Sequence, residues 1–139
     1  MTRPIALLKV GRTSDAVADE RGDYDVWFRE GLESDDLVVL RVADGDPLPD
    51  PSLYGAVVVT GSFAMVTDRA PWSVASGEFL VRAIELGLPV LAVCYGHQLL
   101  ADALGGTVDW NPKGRQIGTV DARLTDEGAK DRLFAGLGN

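Results

Sequence analysis

The residues able to do chemistry in this 139-residue chain gather around its single cysteine, Cys94. Four apolar residues, Val90 to Val93, lead into it and read as a buried parallel strand. After it come Tyr95 and Gly96, then an amphipathic pattern, Leu99, Leu100, Ala103 and Leu104, that stops at Gly105-Gly106. Strand, sharp turn and helix with a nucleophile at the turn make a nucleophile elbow. Such a turn is tight, so the residues two before and two after the nucleophile must be small. They are Ala92 and Gly96. A thiol at a helix N-terminus faces unpaired N–H groups and the positive end of the helix dipole. Such sites lower a cysteine pKa from about 8.5 into the range ~3.5–7.5 and supply thiolate near neutral pH. The backbone N–H of Tyr95 would point at the oxyanion formed when the thiolate attacks a carbonyl. The plainer alternative is a free cysteine serving as a small buried hydrophobe. The elbow context favours the nucleophile.

A cysteine that attacks amides needs a base beside the thiol and usually a third group to orient it. The only histidine is His97, three residues on, in the first turn of the elbow helix. From there it leans along its own helix, badly placed to take a proton from Cys94 and also reach a leaving amide. Packing or a helix-terminus hydrogen bond is its expected role. Gln98 on its own reads as a surface residue of the same helix.

The string Cys94-Tyr95-Gly96-His97-Gln98-Leu99-Leu100-Ala101, followed by Ala103-Leu104-Gly105-Gly106, resembles the nucleophile motif of class I, triad-type glutamine amidotransferases. It is similar to the amidotransferase domain of GMP synthase, and the likeness runs from about Tyr54 onward. The resemblance implies that glutamine is hydrolysed to glutamate and ammonia through a thioester on Cys94. It implies that Gly61, in the turn Gly61-Ser62-Phe63 after a strand, gives a second backbone N–H to the oxyanion hole beside that of Tyr95. One such donor contributes about 2.7–4 kcal/mol. It also implies that Gln98 touches the bound substrate. Taken alone, Gly61 is an ordinary strand-ending glycine. Val66-Thr67-Asp68 and Pro71-Trp72, upstream of the elbow, are what make it match. Ala92 stands where relatives often carry glycine, and Ser62 and Phe63 where they often carry a second glycine and a proline.

The family's base is a histidine of a His-x-Glu motif much further along, and the chain reaches Asn139 before any such motif. The resemblance therefore implies that residues 1–139 are a single domain, the N-terminal portion of a longer amidotransferase domain, with little or no glutaminase activity alone. No metal or organic cofactor is implied. The ammonia acceptor would be a separate synthetase. Two rivals stay open. One is a hydrolase of γ-glutamyl compounds, which uses the same acyl chemistry. The other is a truncated, non-catalytic fold that binds a partner or itself through uncovered sheet edge and apolar surface. Related cysteine hydrolases that place histidine directly after the cysteine are disfavoured by Tyr95.

The elements that must position these residues follow from the apolar runs. Ile5 to Val10, Leu37 to Val42 and Tyr54 to Thr60 read as strands, with Val57-Val58-Val59 wholly apolar. Arg12 to Gly22 is charged and without period, a loop. Its acidic residues Asp15, Asp19 and Glu20, with Asp23, show no ligand spacing and read as solvated surface rather than a metal site. Asp23 is placed to cap a helix from about Tyr24 to Leu32. Asp44 to Ser52, with three prolines, is a connection. Pro71 and Trp72 open a helix to about Leu86, closed by Gly87. Asn111 to Arg115 is a turn. Gln116 to Leu124 alternates and predicts an antiparallel strand. Thr125 to Gly128 begins a turn or short helix. The alternation of strand and helix predicts an α/β fold of three layers with a mostly parallel sheet. The resemblance makes it flavodoxin-like, with its C-terminal part missing. Gly61 and Cys94 then fall at the carboxyl ends of strands, where such sheets place their sites.

Composition sets the outer bounds. Hydrophobic residues are 46% and charged residues 24%, which reads as a soluble globular chain. A net charge of −8 makes a poor partner for nucleic acid or an anionic membrane. One cysteine excludes an internal disulfide and fits a cytoplasmic location. No apolar run approaches the ~18 residues of a membrane span. Only four apolar residues, Ile5 to Leu8, precede Lys9, too few for a signal peptide.

Overall fold

The computed structural model describes residues 3–137, so Met1 and Thr2, and Gly138 and Asn139 at the other end, lie outside the described residues. The chain divides between Asp109 and Trp110 into two compact units. The first unit holds four parallel strands: β1 (Ile5–Leu8), β2 (Leu37–Leu40), β3 (Ala56–Val59) and β4 (Val90–Ala92). Their order is β2-β1-β3-β4. The chain therefore moves outward from β1 to β2 on one side, and from β3 to β4 on the other. That reversal lies between β1 and β3. A crevice opens at such a point, at the carboxyl ends of the strands.

Alternation along each strand divides the core into two faces. Ala6, Leu8, Val57 and Val59 face α3 (Pro71–Glu85) and α4 (Tyr95–Ala103), meeting Phe79, Leu80, Ala83 and Leu99. Leu7 and Val58 face the other way, onto Phe28 of α2 (Tyr24–Gly31) and Leu32 at its C-cap. Helices thus cover both faces of a parallel sheet, the three-layer α/β arrangement expected of the sequence. In α3 and α4 the axes come close at Gly77, where an added Cβ would stand 3.3 Å from Ala103 Cβ.

Most expected elements form within one or two residues of their predicted bounds. Two do not follow expectation. Residues 12–22, expected as loop, contain a helix, α1 (Asp15–Arg21), with no buried residue. A helix that buries nothing leaves no apolar period to read. It begins after extended Ser14 and stops at Gly22, whose φ is +77°. In the second unit, the expected antiparallel strand over Gln116 to Leu124 does not form. Among the described residues of that unit the only regular pieces are 3-10 turns at Gly128–Lys130 and Arg132–Phe134. Ile117 is 86% exposed, and Val120 and Leu124 are exposed as well. Alternation yields a strand only where a neighbouring strand takes its hydrogen bonds and a core takes its apolar side.

Candidate functional site

Cys94 joins β4 to α4 with φ 54° and ψ −108°. Only two other non-glycine residues among those described, Glu33 and Arg69, have positive φ. Such a backbone costs on the order of 1–3 kcal/mol and persists only where its surroundings over-determine it. Here they do. Val93 N–H donates to Val59 O at 3.1 Å, Gly96 N–H to Val93 O at 2.9 Å, and Gln98 N–H to Cys94 O at 3.1 Å. Gly96 cannot be larger, because a Cβ there would lie 2.8 Å from Val59 Cβ. The thiol itself is exposed.

Gly61 follows β3, the strand beside β4. A Cβ built on it would lie 3.5 Å from Cys94 Cβ and 3.9 Å from Sγ. The backbone of residue 61 therefore lies alongside the sulfur, and any side chain there would cover it. Two residues that the sequence did not single out hold this loop. Thr60 is fully buried. Its Oγ1 accepts from Val10 N–H at 3.1 Å and donates to Gly61 O at 3.0 Å. Gly11, after β1, faces Ser62 so closely that a Cβ would lie 2.7 Å from Ser62 Cα. Each is a glycine or hydroxyl at a strand's carboxyl end, which is the one signal that points to them. Ser62 Oγ accepts from Ala64 N–H at 3.1 Å and closes the turn, leaving Phe63 exposed. On the β1 side of this turn lies a cavity of about 430 Å³, bordered by Lys9, Gly11, Arg12, Ser62, Phe63 and Trp72.

Tyr95 is the first residue of α4, and its side chain is buried at 2% exposure. Its hydroxyl lies 2.6 Å from Ser73 Oγ in the first turn of α3. Its ring lies 5.7 Å from that of Trp72, at 33°. Burial raises its phenol above the usual value, against the opposing effect of the hydrogen bond with Ser73. His97 and Gln98 are exposed on α4. The structure thus brings together Cys94, Tyr95 and Gly61, and leaves Gln98 on the solvent side of its helix.

A second polar group fixes the segment after β1. Lys9 Nζ pairs with Asp23 at 2.7 Å and Asp25 at 2.6 Å, and Arg41 reaches Asp25 at 3.9 Å. Asp23 also accepts from the N–H groups of Thr13 and Tyr24, each at 2.8 Å, and so caps α2 as expected. Burial acts against the charge of Lys9, but its two carboxylate partners outweigh that and raise its pKa. Burial likewise opposes the charges of Asp23 and Asp25, and Lys9 outweighs it, holding both below the ordinary carboxylate value. The Tyr24 phenol is raised by burial first, then by the negative charge of Asp23. Of the other acidic residues in this region, Asp15 pairs with Arg12 and Glu20 with Arg21. Among the described residues no group of three or more His, Cys, Asp or Glu could hold a metal ion.

Chemically, the arrangement is an exposed thiol on a strained strand-to-helix turn, at a helix N-terminus, beside a bare glycine backbone. Residues 46–139 match the family described as glutamine amidotransferase class-I. The chain is 35% identical over 107 residues to the glutamine amidotransferase-like protein chry6 of Gibberella zeae, covering 74% of this chain and 45% of that protein. It is 33% identical over 114 residues to a GMP synthase [glutamine-hydrolyzing] of Syntrophomonas wolfei, covering 77% of this chain and 22% of that protein. A solved glutamine amido transferase from Methylobacillus flagellatus superposes with a TM-score of 0.63 at 25% identity, over 81% of this chain and 43% of that one. The chain spans less than half the length of each of these relatives.

Proposed function

The chain belongs to the class-I glutamine amidotransferase family, and from that premise we propose that it carries the nucleophile side of a glutaminase site. Cys94 is the nucleophile of an elbow, and the backbone N–H groups of Gly61 and Tyr95 form the oxyanion hole. The Cys94 thiolate attacks the side-chain carbonyl carbon of glutamine. The carbonyl oxygen becomes an oxyanion facing the two N–H groups, which stabilise it more than they do the neutral amide. Collapse expels the amide nitrogen, protonated, as ammonia and leaves a thioester. Water then attacks the thioester, releasing glutamate and returning the thiol. His97, exposed on the first turn of α4, is not assigned as the base. Gln98, exposed on α4, is assigned to contact with the bound substrate, as the resemblance implies.

The observation that carries this reading is the pairing of a strained, exposed Cys94 with Gly61, whose added Cβ would lie 3.9 Å from Sγ. A structural cysteine needs neither the strain nor a bare backbone beside it. Ammonia passes to an acceptor enzyme in this reading, supported by the glutamine-hydrolysing GMP synthase among the relatives. No helix among the described residues is long and apolar enough to cross a membrane. With a lone cysteine, that is compatible with work in a reducing cytoplasm.

The test uses the natural gene product that contains these residues. Cys94→Ala should abolish ammonia release from glutamine while leaving the melting temperature nearly unchanged. Retained ammonia release in that variant would sink the assignment. The rival reading, hydrolysis of larger γ-glutamyl compounds, is favoured by one observation, the roughly 430 Å³ cavity next to the Gly61 turn. Parallel assays of ammonia from glutamine and amine from γ-glutamyl peptides separate the two.

A further inference from the structure

We propose that Ser73 is a positioning residue that holds the oxyanion-donating N–H of Tyr95 in register with that of Gly61. The inference rests on the assignment of Tyr95 made above. The two donors belong to different elements: Gly61 to the turn after β3, Tyr95 to the first residue of α4. Their spacing is fixed only as well as those elements are fixed against each other. The close packing of Gly96 on Val59 sets how near α4 lies to β3. A contact of that kind limits distance but does little to fix rotation of the first turn.

The bond from Val93 N–H to Val59 O ties the two strand ends just before Cys94; past Cys94, the directional side-chain tie on α4 is the bond between Ser73 Oγ and Tyr95 Oη, 2.6 Å long, with both residues 2% exposed. Ser73 is itself held, since its N–H donates to Ala70 O at 2.9 Å in the first turn of α3. Trp72, its neighbour, lies against the Tyr95 ring and also borders the cavity beside the Ser62 turn. A dry hydrogen bond is stronger and more directional than one in water. It adds little net stability, because both hydroxyls give up water to make it, and an apolar pair of the same shape would pack comparably. What it adds beyond packing is orientation. Oη lies on the Cβ–Cγ axis, so the ring can flip about that axis, but it cannot swing about Cα–Cβ without breaking the bond, and that swing pivots on the Cα that carries the N–H in question.

Two reagents separate orientation from simple integrity of the turn. Iodoacetamide alkylates Cys94 by displacement at carbon and needs no oxyanion donor. Acylation by γ-L-glutamyl p-nitroanilide needs one: Sγ bonds to the γ-carbonyl carbon, the C–N bond breaks, and p-nitroaniline leaves with a proton. The natural gene product is compared with Ser73→Ala, Tyr95→Phe and the double variant. The double variant removes both hydroxyls and leaves neither unpaired, so it guards against loss of folding in a single one. Acylation is expected to fall about tenfold in each single variant, since small misplacements of catalytic groups carry costs of that order. The double variant should be no worse than either single, because both act through one bond. Alkylation should stay within about twofold throughout, as it uses only the thiol.

Unchanged acylation in the single variants would overturn the proposal, as would losses that multiply in the double variant. Alkylation falling in parallel with acylation would also overturn it, since Ser73 would then merely hold the turn together. Failure of the underlying assignment looks different: the unmodified protein would be alkylated at Cys94 but not acylated there.

Discussion

Gly61 offers the sharpest residue-level test because its structural and chemical demands differ. An alanine Cβ there would sit 3.5 Å from Cys94 Cβ, an ordinary contact, so the fold tolerates it. A valine would extend further over the sulfur and obstruct the approach of a carbonyl. Gly61→Val should therefore lower glutaminase activity in the natural gene product on the order of a hundredfold, the scale of a lost oxyanion donor, with little change in urea midpoint. Equal losses of stability and activity would instead mark Gly61 as a packing glycine. The two residues are legible in sequence for unlike reasons. Cys94 announces itself through the string around it, whereas Gly61 is readable only by its place after Val57-Val58-Val59. Thr60 and Gly11 show in the sequence only as residues at strand ends, and Ser73 gives no signal. A hydroxyl at a strand end or on a helix's first turn has no period, and its partner, Val10 N–H or Tyr95 Oη, lies far away in sequence.

At the scale of elements, two contacts set how the strands and helices present the site. The first is α4 against β3. A methyl at residue 96 would lie 2.8 Å from Val59 Cβ and 3.0 Å from Val59 O, and neither the β-carbon nor the carbonyl of a sheet strand can give way easily. Gly96→Ala should destabilise by about 1–3 kcal/mol, the usual cost of overpacking. Val59→Ala in the same chain should recover part of the loss, and urea unfolding of the three variants reads both effects. The second contact is the Lys9 cluster, which ties β1 to the start of α2. Asp23 and Asp25 are held below their unfolded values, near 3.9. Their contribution is therefore complete above about pH 4 and is lost as pH falls through the lowered folded values. Lys9 is raised, so its share is complete below about pH 10.4 and is lost as pH climbs through the raised folded value. Lys9→Met should cost roughly 2 kcal/mol at pH 7, as for hydrogen bonds between charged groups. The gap to the unmodified protein should close as the carboxylates protonate. Urea midpoints at pH 7 and near pH 2 check the sign; a gap that widened in acid would contradict it. Cap residue Asp23 was legible because capping is local. Helix α1 was not, since it buries no residue, and the expected strand over Gln116 to Leu124 was misread because alternation cannot say whether a partner strand exists.

For the molecule as a whole, charge and uncovered surface oppose each other. Among the described residues, β4 pairs with β3 on one side and with no strand on the other. An open parallel edge presents unpaired N–H and C=O groups to any second edge. Val93, the residue just past that strand, is 39% exposed. Against this stands a net charge of −8, which makes two copies repel at neutral pH and low salt. The repulsion acts over the Debye length, about 30 Å at 0.01 M salt and 8 Å at physiological strength, while edge pairing and apolar contact act only on touching. Salt therefore weakens the opposing force and leaves the attractive one almost intact. Sedimentation velocity on the 139-residue chain should show monomer in dilute buffer at pH 8. Larger species should grow in with added salt, and more steeply as pH approaches the isoelectric point near 4.5. A monomer under all these conditions would mean that the β4 edge is not available for pairing. Association that weakened with salt would mean that opposite-charge contacts, not the edge, hold the copies together.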